Sequence, residues 1–235
     1  MQLRGRLGLR PRVNAAFERG AIRLRRRRYA SGGGLIDVLP ASMRERLGLD
    51  DRTAVGSRRI EIGPGPWPTP GYIHVDIDPM SPHLEALGPM WDLPFPDAWA
   101  VEIRGIQTLE HVHPSKLLDT LREWRRVLVP GGLAHVSVPN GPAIMRAFAD
   151  APVAEKWPLM GSILGMYCGP ELRDPGAIWH AADHQLVLDF PMLEWAFQEA
   201  GFHHVLDVSA QEDDRHSHAW RSMVPDYCLA VDARA

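Results

Sequence analysis

The sequence predicts a doubly wound α/β fold, in which a largely parallel sheet is covered by helices on both faces. From Arg58 onward, short apolar segments typical of strands alternate with amphipathic segments typical of helices. Turn signals such as Gly63-Pro64-Gly65 and Pro130-Gly131-Gly132 separate these segments. In sheets of this kind, ligands bind beyond the carboxyl ends of the central strands.

Each element follows from its local pattern. The clearest helix is expected over residues 114–128, where apolar residues recur at helical spacing after Pro114. A second helix is expected between Asp189, a residue that favours helix N-caps, and Gly201, which favours helix ends. The predicted strands cover residues 60–62, 72–77, 101–106, 133–138, 204–208 and 227–231.

Composition bounds the class of protein. The chain has 235 residues, of which 45% are hydrophobic and 23% are charged, as in ordinary globular domains. Two cysteines are too few for a disulfide framework, and no apolar segment reaches the length of a membrane span. The N-terminus is too rich in arginine and too poor in apolar residues for a signal peptide. We therefore expect a cytoplasmic protein.

Charge is distributed unevenly along the chain. Residues 1–28 contain ten arginines and one acid, Glu18, which gives this segment a net charge of +9. Because the whole chain carries −3, residues 29–235 carry −12. Such a basic arm favours an anionic partner, namely nucleic acid, a membrane surface or an acidic protein face, although a solvated arm is an equally simple interpretation. A glycine linker at residues 32–34 ends the arm.

The first strand ends in a glycine loop that favours a nucleoside ligand. Gly63 and Gly65 would let a ligand approach the backbone, and Asp76, at the end of the next strand, suits a ribose diol. The prolines of residues 66–71 block the helix that would normally follow. A pyrophosphate prefers a helix N-terminus, so the loop predicts a nucleoside without phosphates.

Five motifs in order then resemble the class I S-adenosylmethionine-dependent methyltransferases, specifically the short subgroup similar to methyltransferase type 11. They are Ile60–Gly65, His74–Asp78, Asp92–Asp97 (the LPFPD motif), Leu109–Val112 (the LEH motif) and Arg126–Gly132. The resemblance covers residues 58–140 and resumes at 193–205. It implies a Rossmann-like, seven-stranded, mostly parallel sheet with a shortened first crossover. It also implies a methyltransferase domain over residues 35–235, preceded by an arm and linker over 1–34, with a substrate lid at 140–188. The prolines and aromatic residues of 141–188 predict an irregular segment there.

The resemblance assigns cofactor roles on the first two strands. Gly63 and Gly65 would face the methionyl and ribose parts of S-adenosylmethionine, and Glu61 would serve its ammonium group. Asp76 would bind the ribose, with Asp78 as the alternative.

Further cofactor roles fall on two later segments. Trp91, Asp92 and Leu93 would hold the adenine, and Gln107 would open the segment that lines the methyl-transfer side. The chain departs from the family at Trp67, which replaces the third glycine of the first motif.

Methyl transfer to a hydroxyl needs a general base, and histidine is the usual one near neutral pH. We single out His111, His113 and His184 as catalytic candidates, with His180 weaker. Each could instead be structural, and His135 is interpreted as a buried sheet residue. A zinc site at the His180–His184 pair lacks a third ligand, whereas Mg²⁺ held by carboxylates and acceptor hydroxyls is left open.

The acceptor is inferred by exclusion and resemblance. Residues 107–110 lack the Asn/Asp-Pro-Pro-Tyr sequence of many enzymes that methylate amino or amide nitrogens. The family resemblance implies that the acceptor is a sugar or polysaccharide hydroxyl, or a similar small-molecule hydroxyl. The alternatives are an RNA methyltransferase that uses the basic arm and a non-catalytic adaptor that retains the fold. Contact of the arm with an anionic surface and homodimer formation are also left open.

Overall fold

The computed structural model describes residues 58–65, 68–77, 85–165, 183–210 and 227–235. The predicted arm and linker, residues 1–34, lie outside these ranges. So do Trp67, Asp78 and His180, three of the residues considered above.

Seven strands form one mixed sheet. Their bounds are Arg59–Ile62 (β1), Ile73–Asp76 (β2), Ala86–Leu87 (β3), Ala100–Ile106 (β4), Leu128–Pro139 (β5), His203–Asp207 (β6) and Cys228–Arg234 (β7). The strand order is β3-β2-β1-β4-β5-β7-β6. Strands β1 to β5 pair in parallel, whereas β7 pairs antiparallel with both β5 and β6. The predicted mostly parallel, seven-stranded sheet is confirmed.

The first crossover is short, as predicted. Residues 63–72 join β1 to β2, although parallel neighbours usually need a dozen residues or more, including a helix. The described residues of this connection contain no helix. The prolines account for this because they remove backbone donors and clash within a helical turn.

Four α-helices lie within the described ranges: Leu117–Val127 (α1), Gly141–Asp150 (α2), Val153–Leu164 (α3) and Phe190–Glu199 (α4). Short 3₁₀ turns at Leu109–His111 and Pro114–Lys116 precede α1, so the first turn of the helix predicted over 114–128 is 3₁₀. Helix α4 begins as predicted, because the Asp189 carboxylate accepts a hydrogen bond from the Met192 backbone N–H at 2.9 Å. No helix in these ranges has both the length and the apolar character that crossing a bilayer requires.

Residues 141–164 correct one expectation. The proline-rich lid segment predicted an irregular chain, but α2 and α3 occupy this part of it. The Asn140 side chain caps α2 by accepting from the Ala143 backbone N–H at 3.2 Å, and Pro142 occupies the first turn, where a missing N–H costs nothing. Helix α3 ends at Gly165, whose φ of 75° is favourable for glycine.

Helix α1 packs on the sheet through Trp124. This side chain is fully buried, and the absence of a side chain at Gly105 makes room for it: a Cβ there would lie 2.9 Å from the indole. Burying a large apolar side chain contributes roughly 2–3 kcal/mol to stability. Because Gly105 faces α1, its neighbour Arg104 faces the opposite side of the sheet.

Candidate functional site

The glycine loop after β1 is closed at one glycine and open at the other. Gly63 has φ 62°, and a Cβ there would lie 2.7 Å from Thr108 Cγ2. Its N–H donates to the Val75 carbonyl at 2.8 Å, which ties the loop to β2. Gly65 has φ 56°, and apart from its chain neighbours no heavy atom of the described residues lies within 4 Å of the position its Cβ would take. Among the described residues, nothing blocks the approach of a ligand on that side.

Glu61 lies buried beneath this loop, where its carboxylate contacts three other residues. One carboxylate oxygen accepts from the Thr69 backbone N–H and the other from the Thr69 hydroxyl, both at 2.7 Å. Arg104 Nε lies 3.3 Å and His74 Nε2 3.4 Å from the same carboxylate. Burial raises the pKa of Glu61, but these hydrogen bonds and the Arg104 charge outweigh it and leave the pKa lowered. The ammonium-binding role of Glu61 stays a prediction, to which the structure adds a role in fixing the loop.

His74 lies between two carboxylates. Its Nε2 faces Glu61, and its Nδ1 lies 3.3 Å from the Glu85 carboxylate. Burial lowers the pKa of His74, but the two glutamates outweigh this and raise it to about 9. His74 is therefore charged at neutral pH.

These residues belong to a row of ionisable side chains that crosses the sheet. The pairing register aligns His74 on β2, Glu61 on β1, Arg104 on β4, His135 on β5 and Asp232 on β7. The interpretation of His135 as a buried sheet residue is confirmed, since it is fully buried and its Nδ1 lies 2.6 Å from the Asp232 carboxylate. We call these five residues the charged row.

The charged His74 predicts a pH dependence of stability. Its pKa is about 9 in the folded chain and near 6.5 in the unfolded chain. Its contribution, roughly 3 kcal/mol, is fully present below pH 6.5 and is lost as pH rises through about 9. Urea unfolding measured from pH 6 to 10 should show this loss, and the loss should be absent from His74→Gln. An equal loss in both proteins would contradict the assignment.

The predicted adenine segment is held by α1. Trp91 and Asp92 are partly exposed, whereas Leu93 is buried. The Leu93 N–H donates to the Glu123 carboxylate at 2.7 Å, and the Trp124 indole N–H donates to the Met90 carbonyl at 3.1 Å. The segment thus presents two side chains at the surface on a fixed backbone.

Arg126 is a clamp that the sequence analysis did not identify. Its guanidinium donates to the Phe95 carbonyl at 3.0 Å, to Asp97 at 2.6 Å and to Glu123 at 2.7 Å. Arg126 thereby fixes the LPFPD motif against α1. The sequence signal for this role is that Arg126 begins the fifth resembling motif. A motif position by itself does not distinguish a structural arginine from a surface arginine.

Asp76 and Gln107 follow two strands of the same sheet. Asp76 ends β2, and its carbonyl accepts from the Gly88 N–H at 2.9 Å. Gln107 follows β4 with φ 53°, a backbone conformation that is unusual for a residue other than glycine. Its amide nitrogen donates to the Ser137 hydroxyl at 3.2 Å. Its Oε1 is buried and accepts no hydrogen bond from any described residue.

The structure separates His113 from the other two candidate histidines. His113 is exposed and caps the second 3₁₀ turn, where its Nδ1 accepts from the Ser115 N–H at 3.3 Å. His111 and His184 lie together instead, with ring centroids 4.8 Å apart and the rings nearly perpendicular.

Glu110 lies between this pair and was missed by the sequence analysis. Its Oε1 lies 3.9 Å from His111 Nε2 and 3.8 Å from His184 Nε2. The side chain is 1% exposed, and neither carboxylate oxygen accepts a hydrogen bond from another described residue. Burial raises the pKa of Glu110 to about 8. We call Glu110, His111 and His184 the Glu-His-His cluster.

Both histidines of the cluster are anchored by backbone. His111 Nδ1 donates to the Asp183 carbonyl at 3.2 Å, and the His184 ring is hydrogen-bonded to the backbone of Ser162 and Ile163. Burial lowers the pKa of His111, and burial together with the neighbouring His111 lowers that of His184 to about 4. Both rings are therefore neutral near pH 7.

The strand order, with β7 inserted antiparallel between β5 and β6, decides the fold. The chain has the class I methyltransferase fold. No protein-family model matches the chain, and no curated protein matches it.

Several solved structures are similar to this chain at low identity. A SAM-dependent methyltransferase from Archaeoglobus fulgidus is 14% identical, with 86% of this chain and 95% of that chain covered and a TM-score of 0.46. One from Mesorhizobium loti is 15% identical, with 86% and 100% covered and a TM-score of 0.43. One from Thermotoga maritima is 13% identical, with 93% and 91% covered and a TM-score of 0.46.

The class I methyltransferase fold places several of the described candidates at one edge of the sheet. The glycine loop follows β1, Asp76 ends β2, and Gln107, Glu110 and His111 follow β4. His184 comes later in the chain and joins them through its contacts with His111 and Glu110. Because β1, β2 and β4 are parallel neighbours, their carboxyl ends meet at the same edge. This edge is the candidate functional site.

Proposed function

We propose that this chain is an S-adenosylmethionine-dependent methyltransferase that acts on a hydroxyl group. The observation that carries the proposal is the pairing of a glycine loop after β1 with the Glu-His-His cluster, whose Glu110 and His111 follow the adjacent β4. The loop suits a nucleoside-bearing cofactor, and the cluster supplies groups that can activate an acceptor.

The cofactor is proposed to bind along the carboxyl ends of β1 and β2. Gly65 admits its methionyl and ribose parts, and Asp76, or Asp78 beyond it, accepts the ribose hydroxyls. The adenine packs beside Trp91 and Asp92. The donor is a sulfonium cation, so the acidic body of the chain favours its binding.

Transfer is proposed as an in-line displacement. The acceptor oxygen forms a bond to the methyl carbon while the carbon–sulfur bond breaks, and its electron pair stays on sulfur. His111 accepts the hydroxyl proton in the metal-free protein, because it is the more exposed histidine of the cluster, at 23% against 2% for His184. His184 and Glu110 position His111. Most of the acceleration comes from alignment of oxygen, methyl and sulfur.

The acceptor is proposed to be a sugar or polysaccharide hydroxyl, or a similar small-molecule hydroxyl. This proposal rests on the resemblance of the LPFPD and LEH motifs and on the lack of an Asn/Asp-Pro-Pro-Tyr sequence after β4. The basic arm is proposed to contact an anionic surface and not the acceptor, because the motifs begin near residue 58.

Calorimetric titration with S-adenosylhomocysteine tests the cofactor site. Asp76→Asn should weaken binding about ten- to a hundredfold, because it removes charge-assisted hydrogen bonds worth roughly 1.5–3 kcal/mol. The matched control is Asp150→Asn at the exposed end of α2, which should bind like the wild type. Failure of the wild-type chain to bind at millimolar ligand would contradict the enzyme proposal and favour the non-catalytic adaptor.

A methyl-transfer screen tests the acceptor. The chain should methylate oligosaccharides in preference to hydroxylated aromatics and RNA. Turnover confined to aromatics would overturn the sugar assignment. Turnover confined to RNA, lost on removal of residues 1–30 and falling steeply with salt, would establish the RNA alternative instead.

A further inference from the structure

We propose that Glu110, His111 and His184 bind a divalent transition-metal ion, with Zn²⁺ as the preferred ion. The role of the ion in catalysis rests on the proposed function. Metal binding itself does not depend on methyl transfer.

The distances between the ligand atoms of the cluster are compatible with coordination of one ion by all three residues. One carboxylate oxygen and two imidazole nitrogens all lie within 4.8 Å of one another, and both histidines approach the same Glu110 oxygen, at 3.8 and 3.9 Å. Around a tetrahedral zinc ion with bonds of about 2.0–2.2 Å, the ligand atoms lie roughly 3.3–3.5 Å apart. Small side-chain rotations toward the common centre would produce that spacing.

The orientation of the rings favours coordination. In each ring one nitrogen is taken up by backbone, at Asp183 for His111 and at Ser162 and Ile163 for His184, and Nε2 faces Glu110. Since a carbonyl can only accept, His111 Nδ1 carries the proton and its Nε2 carries a lone pair. Metal-binding histidines are typically held by such an outer hydrogen bond, which fixes tautomer and orientation.

The burial of Glu110 calls for a compensating partner. A carboxyl group that is 1% exposed and accepts no hydrogen bond from another described residue is costly to bury. A dication bound between Glu110 and the two imidazoles would supply a countercharge to the carboxylate.

The donor set selects the class of ion. Two imidazoles and one carboxylate suit zinc and other first-row transition ions, whereas Mg²⁺ and Ca²⁺ prefer oxygen ligands. The Mg²⁺ left open by the sequence analysis is therefore not supported at this cluster. His111 is 23% exposed, so the ion would enter from its side of the cluster. With three protein ligands, a tetrahedral ion keeps a fourth position open.

The open position has a use in the proposed reaction. An acceptor hydroxyl bound there would lose its proton to water more readily, because the ion stabilises the resulting alkoxide. The alkoxide oxygen would then form the bond to the methyl carbon as the sulfur retains the electron pair of the broken bond. His111 would act as a ligand in this form and would not accept the proton.

Zinc titration of the full chain, stripped with a chelator, tests the site. Wild type should bind one Zn²⁺. Each of the variants Glu110→Gln, His111→Ala and His184→Ala should weaken this binding by more than about 10- to 100-fold, which is the effect of losing an outer-shell partner. The matched control is His113→Ala, two residues from His111 and outside the cluster. Co²⁺ should give visible absorption bands of a tetrahedral site in the wild type and in the control.

Thermal unfolding keeps the test valid if a variant is destabilised. Zn²⁺ should raise the melting temperature of wild type and His113→Ala but not that of Glu110→Gln, a near-isosteric change. Equal Zn²⁺ binding by all variants, or no binding by wild type, would overturn the metal site. A wild-type chain that binds S-adenosylhomocysteine but no Zn²⁺ overturns the metal site alone, whereas a chain that binds Zn²⁺ but no S-adenosylhomocysteine overturns the proposed function alone.

Discussion

Gly63→Ala should abolish measurable S-adenosylhomocysteine binding and lower the free energy of unfolding by about 2–4 kcal/mol. Two costs combine at this position. The added methyl group would lie 2.7 Å from Thr108 Cγ2, and φ is 62°, a conformation that side chains rarely adopt. Backbone strain and overpacking each cost of order 1–3 kcal/mol. Because Thr108 donates to the Ile62 carbonyl, relief of the clash would displace the loop that receives the cofactor.

Gly131→Ala is the matched control. Gly131 has φ 77°, but apart from its chain neighbours no described residue lies within 4 Å of the position its Cβ would take, and it lies in β5 away from the glycine loop. It should lose only about 1 kcal/mol and should keep the wild-type affinity for S-adenosylhomocysteine. Calorimetry and urea unfolding of both variants separate backbone strain from the clash. A Gly63→Ala protein with wild-type affinity would show that the loop does not receive the cofactor.

Arg104→Met is expected to be the most destabilising change in the charged row, at about 3–5 kcal/mol. Arg104 is 1% exposed, its Nε lies 3.3 Å from Glu61, and its guanidinium lies 5.0 Å from the Tyr72 ring centroid. Methionine retains the apolar stem but removes the charge. Removal of one member of a buried ion pair is costly because the other charge stays buried. Urea unfolding at pH 7 measures the loss.

A double variant and a surface control sharpen this test. Arg104→Met combined with Glu61→Gln should lose less than the sum of the two single losses, because it leaves no uncompensated carboxylate. Arg59→Met removes an arginine that is 52% exposed and 3.5 Å from Glu102, so it should cost less than about 1 kcal/mol. A loss below 1 kcal/mol for Arg104→Met would refute the idea that Glu61 depends on it.

Local patterns were sufficient to predict most of the fold. The apolar spacing of residues 114–128 predicted α1, and Asp189 with Gly201 bounded α4 within a residue or two. The prediction of an irregular segment over residues 141–188 rested partly on its prolines, among them Pro142, Pro152 and Pro158. The first two occupy helix starts, where proline is tolerated.

The candidate site was only half predictable. His111 and His184 were each singled out, but their contact depends on 72 intervening residues and on backbone docking that no local pattern encodes. The Glu110 carbonyl accepts from the N–H groups of Gln185 and Leu186, and this brings the second histidine to the first. Glu110 itself was missed because a single acid in a motif gives no sign that its side chain is buried.

The charged row favours one register of the strands in the sheet. Side chains alternate between faces along a strand, so a one-residue slip of β4 would turn Arg104 toward Trp124 and its apolar neighbours. The same argument applies to Glu61 on β1. Buried charges thus disfavour a one-residue slip of either strand. The placement of Gly63 and Glu110 at one edge is therefore specified in part from the middle of the sheet.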